Sequence, residues 1–105
     1  MIKRIWRGWT RRENADAYEA LLNREIFPHI QAKAIAGHRG ITLLRRDGED
    51  EVTFITIMTF ESMASIKALA GDEPSKAYVP AQARALLSRW DDHAEHFELR
   101  EEQQF

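Results

Sequence analysis

The chain has 105 residues, 44% hydrophobic and 30% charged, with a formal net charge of -2 at neutral pH and no cysteine. This length fits one domain with a small core, so residues 1–105 are read as a single domain that self-association would help to stabilise. The near-neutral balance, with no basic stripe, argues against a nucleic-acid partner, and the missing cysteines exclude disulfides, thiolate metal sites and thiol nucleophiles.

The opening Ile2-Lys3-Arg4-Ile5-Trp6-Arg7-Gly8-Trp9 has strand composition and enters the strand with no signal-peptide apolar stretch before it. No apolar run reaches the roughly 20 residues of a bilayer span. A cytoplasmic protein with no membrane partner is the expectation. Side chains alternate along a strand, so Arg4, Trp6 and Gly8 share one face, and Ile5, Arg7 and Trp9 the other. Thr10 and Glu13 are spaced as a capping box, with Asn14 as an alternative cap. Tyr18, Leu21, Leu22, Ile26 and Ile30 then follow helical spacing, and Pro28 predicts a kink or break near Phe27.

Gly40 to Phe60 reads as a hairpin turning at Asp47-Gly48. Its second arm, Val52 to Phe60, is apolar on both faces and is placed centrally in the sheet. A helical region is predicted from Ser62 to Trp90, stopping at Gly71 and restarting at Pro80, with Val79, Ala83, Leu86, Leu87 and Trp90 on one face. The last strand carries Glu95-His96-Phe97-Glu98-Leu99, with Phe97 expected under the helices and His96 on the opposite side. The order β-α-β-β-α-β is ferredoxin-like: an α+β fold with an antiparallel sheet and helices on one face. Its other face calls for a partner, and a homodimer formed by sheet packing is the expectation.

Arg4-Ile5-Trp6-Arg7-Gly8, Gly40-Ile41 with Leu44-Arg45-Arg46, the step Phe60-Glu61-Ser62 and the ending Glu95-His96-Phe97-Glu98-Leu99 resemble the antibiotic biosynthesis monooxygenase domain. The resemblance covers nearly the whole chain and lies more in element order than in any single motif. It implies a dimeric α/β barrel, in which two subunits pack their sheets face to face and each keeps a pocket between sheet and helices. Some members of that family oxidise electron-rich polycyclic phenols without metal or flavin, and others cleave haem. The haem-cleaving branch needs an asparagine on the first strand, a tryptophan on the helix after the third, and a histidine soon after. Here residues 1–10 hold no asparagine, Leu69 stands near the tryptophan position, and Ala77-Tyr78-Val79 occupies the histidine region. No cofactor is therefore expected.

Among the four histidines, His93 and His96 have metal-ligand spacing, but on a strand they point to opposite faces, so no metal site is expected. His96 reads either as a hydrogen-bonded interface residue or as a pocket proton carrier, and His38 as either a solvated loop residue or part of a pocket mouth. The tryptophans Trp6, Trp9 and Trp90 read as core or interface, or as a flat wall for a planar ligand. Arg4, Arg7 and Tyr78 are the polar groups that such a wall would carry, Arg4 and Arg7 reading equally as interface ion pairs. Two functions follow as expectations. The first is a cofactor-independent monooxygenase-like enzyme acting on a small aromatic or conjugated substrate, with His96, His38 and Tyr78 catalytic and Trp6, Arg4, Trp9 and Trp90 binding substrate. The second is a small-ligand binding module without turnover.

Overall fold

The computed structural model describes every residue from Met1 to Phe105. The elements are β1 (Ile2–Arg11), α1 (Arg12–Leu21), a π-helical segment (Leu22–Ile26), α2 (Phe27–Ala32), β2 (His38–Asp47), β3 (Glu51–Phe60), α3 (Met63–Ala70), α4 (Ala81–Arg84), β4 (Leu87–Trp90) and β5 (Glu95–Glu98). All strand pairs are antiparallel, and β2, β3 and β1 lie side by side in that order. Two short strands share the remaining edge of β1: β4 pairs with Gly8 to Thr10, and β5 with Ile2 to Ile5. The fourth position of a ferredoxin-like sheet is thus filled in two pieces, confirming the α+β class.

β4 corrects the sequence reading, which ran a helix to Trp90. Leu86, Leu87 and Trp90 have helical spacing by coincidence. The unpaired edge of β1 takes up Leu87–Trp90 as a strand, and tertiary pairing overrides local periodicity. Between the two pieces the chain bows outward. Asp91 N donates to Arg7 O at 3.0 Å, Ala94 N to Ser75 O at 2.6 Å, and Ala77 N to Asp92 O at 2.9 Å. These bonds staple the 72–80 loop to the sheet edge.

The capping box does not form. β1 continues to Arg11, which caps α1 without a side-chain bond, while Thr10 is fully buried in the sheet. Pro28 does not break the helix either. The π-helical segment before it widens the backbone turn, and Pro28 falls in the first turn of α2, where a missing donor is tolerated. Ser62 caps α3 by accepting from Ser65 N at 3.3 Å, and Gly71 ends it at φ 85°. Gly37 also has φ 85°, and a Cβ there would run into the Ser65 hydroxyl, so only glycine fits between β2 and α3.

The alternation of β3 divides the molecule. Val52, Phe54, Thr56, Met58 and Phe60 are buried beneath the helices. Ala15, Tyr18 and Leu22 pack over Val52 and Phe54 with Ala83 and Leu87, while Ile66 packs over Met58 and Phe60. On the other face Ile55 and Ile57 are flanked by Leu44 of β2 and by Ile5 of β1. Leu44 is 47% and Phe97 51% exposed, so this face is apolar and uncovered in a single copy.

Candidate functional site

Between sheet and helices lies a cavity whose floor is Arg4 and Trp6 of β1 with Thr56 and Met58 of β3. The register pairs Arg4 with Met58 and Trp6 with Thr56, which sets these four side chains on one face. Tyr18 of α1, Leu22 and Ile26 of the π-helical segment, and Phe27 and Ile30 of α2 form the wall, and Ala77 to Pro80 with Ala83 form the roof. This inner chamber holds about 100 Å³. Past Tyr78 and Pro80 it meets a vestibule of about 700 Å³ edged by Glu25, His29, Lys33, Lys76 and Gln82.

Trp6 is fixed by its indole Nε1, which donates to Asp91 O at 2.7 Å. Gly8, two residues along, leaves room for it: a Cβ there would lie 3.1 Å from the Trp6 ring and 3.0 Å from Leu87. Arg4 is half-buried, and its Nη2 donates to Pro74 O and Lys76 O, each at 3.3 Å. It makes no ion pair with a carboxylate, unlike Arg7, which meets Glu95 at 3.0 Å on the open face. Burial pulls the Arg4 pKa below its ordinary value. The guanidinium still keeps its charge at neutral pH. Tyr18 stands edge-on to Phe54, with ring centres 4.9 Å apart, and burial pushes its phenol pKa up. Tyr78 is 89% exposed at the mouth.

Of the residues predicted for the site, the structure brings together Arg4, Trp6 and Tyr78. The others lie elsewhere. Trp9 is on the open face, with the Arg89 guanidinium 3.8 Å from its ring centre. Trp90 pairs with Gly8 and packs against the core beside Leu87, outside the cavity lining. His38 lies in a separate groove beside Ile35 and Ile41, stacked on Phe60 at 4.5 Å. His96 pairs with Arg4, so it faces the helix side rather than the open face, and Phe97 faces outward. That reverses the sequence assignment, because register with β1, not polarity, decides which way β5 points. His96 flanks Arg4 without lining the chamber. His93 bridges to Lys76, and no group of three histidines or carboxylates is placed to hold a metal ion. The cavity residues that the site prediction missed, chiefly Tyr18, Leu22, Ile26 and Thr56, gave only the signal of core positions.

The two histidines share an electrostatic property. Nε2 of each is buried without a protein partner. Burial lowers both pKa values from the ordinary 6.5; the Arg4 charge adds to this at His96, and a backbone hydrogen bond with Gly40 opposes it at His38. The folded state therefore binds fewer protons than the unfolded chain as pH falls below 6.5, and stability declines on acidification. Below the ordinary carboxylate range Asp47 and Glu51, held down by Arg45 and Arg89, add a second decline. We expect the melting temperature to drop between about pH 7.5 and about pH 5.5, and to drop less in a His38→Phe, His96→Phe double variant. Equal slopes in the two proteins would contradict this.

No helix is long and apolar enough to cross a membrane. No protein-family model matches the chain, and no curated protein is significantly similar to it. Among solved structures, Rv0793 from Mycobacterium tuberculosis is similar at 20% identity, with 98% of each chain covered and a TM-score of 0.58. At that identity the likeness is one of fold.

Proposed function

We propose that this chain is a homodimeric domain of the antibiotic biosynthesis monooxygenase type, acting as a cofactor-independent oxygenase on a small planar conjugated molecule bound between sheet and helices. One observation carries the reading. The chamber is walled by aromatic and aliphatic side chains, with a fixed indole on its floor and very few polar groups, the form expected of a site for a flat apolar ligand. Enclosure would strip water from the substrate, and Tyr78, which borders the mouth, would be the phenol to exchange a proton with it. The uncovered apolar sheet face supports the dimer.

A second reading, ligand binding without turnover, is favoured by the position of the histidines: neither His38 nor His96 lines the chamber. Oxygen uptake with a panel of polycyclic phenols separates the two. Under the oxygenase reading uptake is enzyme-dependent, and Trp6→Ala lowers it at least about tenfold by removing the floor of the site. A melting shift with the same phenols and no oxygen uptake would establish the binding module instead.

A further inference from the structure

We propose that the ligand of this cavity is a small aromatic carboxylate, its ring in the inner chamber and its carboxylate on Arg4 at the junction with the vestibule. This rests on the ligand-cavity reading above and adds the charge of the ligand to it. Arg4 borders both compartments, so it sits where a ligand's polar end would lie if the apolar end were inside. Its guanidinium is held but not neutralised. Nη2 is occupied by the carbonyls of Pro74 and Lys76, and Nε is buried without a partner. Nη1 has neither a protein partner nor complete burial, which leaves its two N–H groups for an incoming acceptor. A half-buried cation without a carboxylate is costly to maintain, and an anionic ligand would offset that cost.

The vestibule supplies independent support. Arg4, Lys33 and Lys76 edge it against the single carboxylate of Glu25, in a chain whose net charge is -2. Lys76 has an exposed partner in Glu73 at 3.8 Å, and Lys33 makes no ion pair. The local sign is therefore opposite to that of the molecule, which concentrates anions at the mouth.

The test compares benzoate with benzamide, which keeps the ring and removes the charge, by calorimetric titration of the full chain. We expect the carboxylate to bind at least about tenfold more tightly at low salt, with the gap narrowing as salt rises. Arg4→Gln should abolish the gap, so that the two compounds bind alike. Lys33→Gln, which touches none of the loop contacts Arg4 makes, should weaken the carboxylate alone by about two- to threefold, so the proposal remains testable if the Arg4 variant misfolds. Equal affinity of the two compounds for the native protein overturns the charge inference and leaves the cavity reading standing. So does a carboxylate preference that Arg4→Gln, when folded, and Lys33→Gln both leave intact. Failure of both compounds to bind overturns the cavity reading and the inference with it.

Discussion

Phe54→Ala is expected to destabilise the chain by about 3–5 kcal/mol, the cost of deleting a large buried ring. Phe54 is 1% exposed and is the point at which helix and sheet lock together. The Tyr18 ring meets it edge-on at 4.9 Å, the Arg45 guanidinium lies 5.6 Å from its centre, and Gly8 is its partner across β1. Removing it leaves Tyr18, a wall of the cavity, without its packing partner. A domain of this size has about 5–15 kcal/mol of total stability, so the loss is at least about a fifth of the whole. Urea unfolding should show a lower midpoint with the slope unchanged. Tyr78→Ala, at a residue 89% exposed, should fall within about 0.5 kcal/mol of the native protein. Similar losses in the two variants would mean that the core does not centre on Phe54.

Under the proposed sheet-to-sheet dimer, Ile57→Glu is expected to convert the protein from dimer to monomer while leaving each copy folded. Ile57 lies mid-strand on the open face, opposite Ile5 on one side and Thr42 on the other, with Ile55 two residues along. On a solvated face a glutamate there costs little. Within a sheet-to-sheet interface it buries an unpaired charge, which costs several kcal/mol, and a loss of about 3 kcal/mol weakens association more than a hundredfold. Covering Ile5, Leu44, Ile55, Ile57 and Phe97 would remove apolar area worth about 25 cal/mol per Å², the source of the proposed dimer's affinity before association costs. Light scattering at micromolar concentration, with circular dichroism as the check on folding, reads the result. A monomeric native protein, or a dimeric variant, would contradict the proposed assembly.

The residues of β1 and β3 announced their places. Nine consecutive positions from Val52 to Phe60, apolar or threonine throughout, marked β3 as a central strand, and it lies between β2 and β1. The same two-sided character concealed other features. When both faces of a sheet are apolar, polarity does not say which one the helices cover. Phe97 reads as core from its side chain alone, yet pairing with Lys3 turns it outward and turns His96 inward beside Arg4. β4 was hidden for a different reason, since three apolar residues at helical spacing carry no trace of the edge they pair with. Of the site, Arg4 and Trp6 were visible because two large functional side chains at alternate strand positions must share a face. Tyr18 and Leu22 were not, because a cavity wall and a core stripe have the same residue types. The separation of His38 from His96 follows from where β2 and β5 attach to the sheet, information held in long-range pairing.

The three tryptophans stand at three different places, and their indole N–H signals in a nitrogen–proton correlation spectrum report on each: Trp6 on the cavity floor, Trp9 on the open face, Trp90 against the core at the end of β4. Titration with benzoate should move the Trp6 signal, whose proton is bonded to Asp91 O, and leave Trp9 in place. Movement of Trp9 with Trp6 unmoved, or no movement at saturating ligand, would contradict a binding site between sheet and helices.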